Sequence, residues 1–242
     1  MPSAGILIIG NEILSGKVAD TNSPFLATEL RELGVDLERI ITIPDEVDLI
    51  ANEVRAMSDA YDYVFTTGGI GPTHDDVTME SVALAFGREL YVDERICARI
   101  ERAQGGKPLN ESQRKMATFP NGAEFVDAGD LWFPVISVEN VHIFPGIPKL
   151  LQSKFRGIRG RFSGTPFELI RVYVKRHESD IADKLNALLE EFSELLLGSY
   201  PKLDEKEFRV ILTLESRDGD YLRRAVDSLL SRLSPDDIHK VE

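Results

Sequence analysis

Cysteine is almost absent. Cys97 stands alone, so no disulfide can form within the chain. This suits a reducing cytoplasm, which is the expected location. With Ile96 and Ile100 beside it, the thiol reads as a small core group on a helix rather than a nucleophile. Histidine is scarce, at four residues, and His142, His177 and His239 are not arranged as a metal site. Only His74 falls in a candidate loop, as a possible ligand or proton donor against the plainer reading of an exposed loop residue. Basic charge is in deficit, with 28 Lys and Arg against 41 Asp and Glu, for a net charge of -13. Nucleic-acid affinity rests largely on neutralising phosphates, so no such partner is expected, nor an anionic membrane. No apolar run reaches the length of a membrane span. Ile6-Leu7-Ile8-Ile9 near the start is too short for a signal core and lacks a preceding basic region.

What is present suits a globular fold. The chain has 242 residues, 43% of them hydrophobic and 29% charged, enough for one large domain or a standard domain plus a small one. Ala4–Ile9 is a continuous apolar run ending at Gly10, the pattern of a parallel strand buried on both faces. A loop from Gly10 to Lys17 follows. A helix then opens at Asn22-Ser23-Pro24, with Ser23 as N-cap and Pro24 at the first helical position. Val35–Ile43 reads as a strand, Val47 to Met57 as a helix, Tyr61–Thr67 as a third strand and Val77–Phe86 as a helix. This βαβαβα order predicts a doubly wound, mostly parallel α/β sheet with right-handed crossovers. Helices are expected at Glu94–Ala103 and Asn110–Thr118. A strand pair is expected at Val135–Val138 and Val141–Phe144, and another helix start at Pro145–Pro148. Gly157–Pro166 reads as a linker, giving domains 1–165 and 166–242. The second reads as strand, helix, two strands, helix: a small antiparallel α+β unit.

The candidate site is the loop Thr66-Thr67-Gly68-Gly69-Ile70-Gly71-Pro72-Thr73-His74-Asp75-Asp76. Three glycines in four residues let the backbone take positive φ and approach a ligand closely. Strand-to-helix loops of this kind aim N–H groups at anions, and the helix dipole adds to that. Thr67, Thr73 and Thr78 add hydroxyls. Asp75 and Asp76 are either ordinary helix caps or, beside a phosphate, metal ligands or acid/base groups. Two familiar phosphate motifs are excluded. No G-x-G-x-x-G begins at Gly10 or Gly68, and Gly10 to Gly16-Lys17 misses the P-loop by one residue, with Val18 at the hydroxyl position. Gly10, Asn11, Glu12, Gly16, Asp20, Thr21 and Asn22 make a polar loop that spacing alone does not elevate above a loop. Pro145-Gly146-Ile147-Pro148 alone is a turn and helix start.

Taken together, Gly10-Asn11-Glu12-Ile13-Leu14 with Asp20 and Asn22, then Thr66–Thr78, then Phe144–Pro148 resemble the molybdopterin-binding (MoaB/MogA-like) superfamily. In order and spacing they look closest to the N-terminal domain of the competence/damage-inducible CinA family. Leu197-Gly198-Ser199-Tyr200-Pro201 and Leu212-Thr213-Leu214-Glu215-Ser216 resemble the segment that follows this domain in CinA-like proteins and eukaryotic FAD synthases. The resemblance implies handling of a phosphate or pyrophosphate joined to a heterocycle. In the CinA branch this means hydrolysis of ADP-ribose and related dinucleotides with a divalent metal, cobalt or magnesium, and potassium. In FAD synthase it means FAD hydrolysis. In the molybdopterin branch it means binding of a pterin phosphate with adenylyl transfer. Asn11 departs from a frequent Asp, and Asp75 from an Arg usual in molybdopterin enzymes. The deamidase domain of full CinA and the synthase domain of FAD synthase have no counterpart here, so neither activity is expected.

Three functions remain open: a metal-dependent nucleotide pyrophosphatase, a molybdopterin adenylyltransferase or binding protein, and a nucleotide-binding module without chemistry. Asp75 favours the first, because an added negative charge suits a bound cation better than a phosphate. On that reading Asp76 and Asp75 hold the metal, and Glu12, Asp45 or Asp20 orients water or substrate. Lys115 or Arg114 neutralises developing charge. Gly10, Asn11, Asn22, Thr67, Gly68, Gly69, Gly71, Thr73, Thr78, Pro145 and Gly146 form the rest of the candidate site. The expected partner is a small-molecule nucleotide, and the expected assembly a homodimer.

Overall fold

A computed structural model describes residues 1–128 and 133–242 and divides them into two compact units, Met1–Gly164 and Thr165–Glu242. In the first, β1 (Ser3–Ile9) leads through a short α1 (Asn11–Leu14) and α2 (Asn22–Glu32) to β2 (Asp36–Ile43). Then come α3 (Val47–Ala60), β3 (Tyr63–Thr67), α4 (Thr78–Ala85), β4 (Leu90–Val92), α5 (Glu94–Ala103), α6 (Glu111–Lys115) and β5 (Thr118–Pro120). β6 (Glu124–Val126), β7 (Val135–Val138), β8 (Val141–Phe144) and α7 (Pro148–Ile158) complete it. Six strands form one sheet in the order β2-β1-β3-β8-β7-β6. The first four run parallel, and β7 is antiparallel to both neighbours. The expected α/β sheet is therefore present.

Successive strand residues point to opposite faces, and β1 uses both. Leu7 and Ile9 pack with Ile50, Val54 and Met57 of α3 and Val82 of α4. Ile6 and Ile8 pack with Leu26 and Leu30 of α2 and Leu151 and Phe155 of α7. This two-sided burial is why the strand reads as an unbroken apolar run. The chain leaves β1 toward β2 on one side and returns to β3 on the other. The carboxyl ends of β1, β3 and β8 thus lie side by side at one edge of the sheet, where ligands of such folds bind.

Several boundaries differ from the sequence reading. Gly10–Lys17 is not all loop, since α1 occupies Asn11–Leu14. Helix α2 begins at Asn22 with Thr21 as N-cap, and Ser23 and Pro24 lie inside it. Its capping carboxylate is Asp20, which accepts the N–H groups of Asn22 (2.9 Å) and Ser23 (3.1 Å) and the Ser23 hydroxyl. The helix expected at Asn110–Thr118 stops at Lys115, because Thr118–Pro120 pairs with Leu90–Val92. The expected linker is structured in its first half and mostly exposed: α7 runs to Ile158, a 3-10 turn covers Arg159–Arg161, and only Ile158 and Phe162 of the stretch are buried, the latter 1% exposed. Cys97 is buried, and burial pushes its thiol pKa up, consistent with a core role.

The second unit comprises β9 (Glu168–Val174), α8 (Glu178–Glu191), β10 (Leu196–Pro201), β11 (Val210–Ser216), α9 (Gly219–Arg232) and β12 (Ile238–Val241). Its antiparallel sheet has the order β10-β11-β9-β12. Val172, Val174, Leu212 and Leu214 bury against Ile181, Leu185 and Leu188 of α8 and Leu222 and Leu229 of α9. Among the described residues, no helix is long and apolar enough to cross a membrane.

One buried group sets a pH dependence. His142 on β8 sits among Phe162, Phe65 and Tyr63, with ring centroids 4.9, 5.6 and 6.3 Å away, and its Nδ1 hydrogen-bonds the Ser137 hydroxyl at 2.8 Å. Burial pulls its pKa down from 6.5 to about 4. The unfolded chain therefore takes up this proton first as pH falls. The neutral imidazole contributes its full stability above about pH 6.5 and loses it progressively down to about pH 4, a change of up to about 3 kcal/mol. Urea unfolding between pH 4 and 7 is expected to show a shallower pH slope in His142→Gln than in wild type. Equal slopes would remove His142 as the cause.

Candidate functional site

The three loops that follow β1, β3 and β8 are joined by one side chain. Asn22 Nδ2, 7% exposed, donates to Thr67 Oγ1 (2.9 Å) and to the Gly146 carbonyl (2.9 Å). The Thr67 hydroxyl donates to the Pro145 carbonyl (3.2 Å). A hydroxyl has one proton, so Thr67 must accept from Asn22, and this fixes which way the Asn22 amide faces. Its Oδ1 is buried without a hydrogen-bond partner among the described residues. Asp45 Oδ2 accepts the Asn11 N–H (2.8 Å) and the Gly10 N–H donates to the Ile43 carbonyl (3.1 Å), so the first loop is also anchored to the end of β2.

The glycine loop is shaped by close approach to the protein's own backbone. Gly68 has φ 104°, and a Cβ there would lie 2.0 Å from the Ile9 carbonyl oxygen. Gly69 has φ 61°, and its Cβ would meet Thr78 Oγ1 at 2.5 Å. Both positions therefore need glycine, for a left-handed backbone and for space. Thr78 closes the loop, its hydroxyl donating to the Gly68 carbonyl (2.9 Å) and its N–H to the Gly69 carbonyl (3.0 Å). The Gly68 N–H donates to the Phe144 carbonyl at 3.2 Å. The N–H groups of Gly69, Ile70 and Gly71 have no acceptor among the described residues. They are the amides left for an anion.

Beside them opens a cavity of about 620 Å³. Of the residues picked from sequence, Glu12, Gly68, Gly69, Gly71, Asp76, Pro145 and Gly146 line it. Its walls are mostly apolar, through Ile70, Met116, Phe133, Ile147 and Leu150. Glycines make room for the two carboxylates. A Cβ at Gly10 would be 2.7 Å from both Glu12 oxygens, and one at Gly71 would be 2.7 Å from Asp76 Oδ2. Asp76 Oδ2 accepts from the Thr73 N–H (2.8 Å) and the Thr73 hydroxyl. Lys115 Nζ donates to the Thr73 carbonyl and lines a small adjoining cavity with Gly69, Gly71 and Asp76. Asp75 lies outside the large cavity, its side chain 57% exposed. The His74 side chain is 98% exposed, the plainer of its two sequence readings.

Position and role therefore separate. Asp20, Asn22, Asp45, Thr67 and Thr78 hold the loops, Thr73 holds Asp76, and the cavity wall is glycine, proline and apolar side chains. Sequence reasoning missed Lys154 on α7, a cavity-lining lysine 5% exposed. A signal was there: Leu151, Lys154, Phe155 and Ile158 follow the spacing of a buried helical stripe, and a lysine within such a stripe is anomalous. Among the described residues, no three His, Cys, Asp or Glu side chains form a ready cation cage.

A family model described as a probable molybdopterin binding domain matches residues 5–159, and one described as the FAD synthase middle domain matches residues 166–242. An Archaeoglobus fulgidus protein is 37% identical over 223 residues, 91% of this chain and 93% of its own. A "Probable FAD synthase" of Caenorhabditis elegans is 34% identical over 96% of this chain and 50% of its own length. A CinA-like protein of Citrifermentans bemidjiense is 32% identical over 95% of this chain and 58% of its own. The chain thus spans little more than half of these last two relatives. The solved structure of CinA, a protein of unknown function from Thermoplasma acidophilum, superposes with a TM-score of 0.62 at 30% identity, over 66% of this chain and 98% of that one.

The Asn22 amide is the joint to test. Asn22→Ala takes the donor from the buried Thr67 hydroxyl and from the part-buried Gly146 carbonyl, a loss expected to cost about 2 kcal/mol in urea unfolding. A loss under about 0.5 kcal/mol would show that the three loops are held together by other means.

Proposed function

The chain belongs to the molybdopterin-binding domain family, in its CinA and FAD-synthase-like branch, and from that premise we propose that its cleft binds a nucleotide pyrophosphate and hydrolyses it with the help of a divalent cation. One observation carries the proposal: the free amides of Gly69–Gly71, the carboxylates of Glu12 and Asp76 and a largely apolar wall all border one cavity of about 620 Å³. That volume lies within the range of small-molecule sites. Phosphates suit the amides at the end of β3, and a heterocycle suits the face made by Ile70, Met116, Phe133 and Leu150.

Two carboxylates beside a phosphate repel it, so a cation between them belongs to the reading. Asp76, which borders the cavity while Asp75 stays outside it, would hold a magnesium or cobalt ion. Magnesium is commonly bound by one or two carboxylates together with substrate phosphates, which fits a site without a ready-made cage. When bound, the ion would polarise phosphorus and offset the charge of the phosphates. In the hydrolysis, water adds to one phosphorus, the bridging P–O bond breaks, and the second phosphate leaves with the electron pair. On this reading Glu12, which lines the cavity, would take the water's proton, and Lys115, bound to the Thr73 carbonyl, would steady the loop as charge shifts. Adenylyl transfer to a pterin phosphate is the second reading. It is favoured by the family's description as molybdopterin binding, and it needs the same amides and the same apolar face.

Purified protein with magnesium or cobalt is offered ADP-ribose, FAD and, with a pterin phosphate, ATP. AMP release from ADP-ribose or FAD is expected. Asp76→Ala is expected to slow it by about 10²–10³-fold, the scale of losing one strong electrostatic contact in an active site. His74→Ala is expected to leave it unchanged. Calorimetric binding without turnover under either metal would reduce the protein to a binding module. Consumption of ATP only with the pterin phosphate would transfer the assignment to adenylyl transfer.

A further inference from the structure

Lys154 is out of place for a structural residue. A lysine whose stem packs on a core normally carries its ammonium to water. This one, on α7 between Leu151 and Phe155, is 5% exposed and lines the cavity. Its Nζ donates to the Pro134 carbonyl (3.0 Å) and the Phe133 carbonyl, and stands 5.2 Å from the centre of the Phe133 ring. An ammonium has three donors, and the third has no acceptor among the described residues. No carboxylate among them pairs with it, and desolvation alone brings its pKa down to about 8. A neutral amide could bind two carbonyls without placing a charge in the interior. An unpaired buried charge is destabilising, and a ligand that supplies the opposite polarity removes the penalty.

We propose that Lys154 is a ligand-binding residue of this cavity, and that its remaining N–H takes a negatively polarised oxygen of the bound molecule, either a phosphate oxygen or a ring carbonyl. The assignment rests on the cavity being a nucleotide site, and it adds a second anchor to the amides of Gly69–Gly71. The two anchors differ in kind. The amides are neutral and fixed, whereas the ammonium carries charge into a wall of Ile70, Met116, Phe133 and Leu150 that otherwise offers a ligand only dispersion contacts. A ligand with oxygen at both ends, or a heterocycle bearing a carbonyl, is therefore favoured over one whose far end is a plain hydrocarbon or an amine.

The test compares wild type with Lys154→Met, which keeps the length of the stem and removes the charge. Calorimetry with pyrophosphate, riboflavin and adenosine, each with magnesium, separates the sources of the oxygen. Affinity for pyrophosphate or for riboflavin is expected to fall at least tenfold in the variant, and the affected probe identifies which oxygen Lys154 meets. Adenosine, uncharged and without a ring carbonyl, is expected to change less than twofold. If wild type binds none of these probes, and not ADP-ribose offered beside them, the nucleotide reading itself fails. If wild type binds and Lys154→Met binds equally well, the role given to Lys154 is overturned. Should the variant not fold, wild type is measured alone at pH 8.5 with ADP-ribose, which has no group of its own titrating near that pH, in two buffers of different ionisation enthalpy. Binding is then expected to take up a fraction of a proton, as a group near pH 8 becomes more basic beside an anion. No uptake would equally overturn the role. Where the variant does fold, the same measurement on it separates Lys154 from Glu12 and Asp76, the other titratable groups lining the cavity.

Discussion

The site depends on one buried amide. Asn22 stands at the first turn of α2, 45 residues from Thr67 and 124 from Gly146, and its Nδ2 bonds both. Each loop alone is a short connection at the end of a parallel strand, free to take several conformations. Thr67 has a single proton, already directed to Pro145, so the amide can sit in one orientation only. Removing it would take a donor from the buried Thr67 hydroxyl and from the part-buried Gly146 carbonyl, a costly loss. The arrangement of β1, β3 and β8 as neighbours makes the contact possible. The amide then turns three adjacent loop ends into one surface.

Close backbone packing does the rest. The Ile9 carbonyl at the end of β1 reaches so near Gly68 that no side chain fits between them. The glycine loop is therefore pressed onto its neighbour rather than left as an open flap. Its first amide is taken by Phe144, and the next three have no acceptor among the described residues. A cradle of fixed dipoles stabilises an anion without reorganising when it arrives, which is the condition under which electrostatics are most effective. The chain as a whole is acidic, yet at this point amide donors without an acceptor among the described residues border the cavity. The carboxylates lie beside them, folded over Gly10 and Gly71.

Much of the fold was legible because its strongest signals are two-sided. β1 and β3 read as apolar runs, since parallel strands bury both faces, and α2, α3, α5, α8 and α9 show helical stripes. What escaped was short or edge-placed. β4, β5 and β6 have three residues each and carry no period to detect, and β12 closes the smaller sheet from its edge. The Gly157–Pro166 stretch looked like a linker because its glycines and arginines mask Ile158 and Phe162, which are core. The three loops of the site were legible as a set. The division of labour within them was not, because composition does not say whether a polar side chain faces a ligand or a neighbouring loop.

That division bears on the least conforming position in the first loop. Asn11 stands where the family resemblance led one to expect an aspartate, which from sequence put a chemical role in doubt. In the fold its side chain is exposed, and its contribution to the loop runs through the main chain, whose N–H is held by Asp45. The carboxylate bordering the cavity is that of the next residue, Glu12, folded over Gly10. An amide at position 11 therefore leaves both the anchoring of the loop and the acidic group in the cavity intact. The same logic applies to Asp75, which is exposed and outside the cavity while Asp76 borders it. In each acidic pair-like stretch the second residue faces the site. The first lies on the turn of backbone that brings it there.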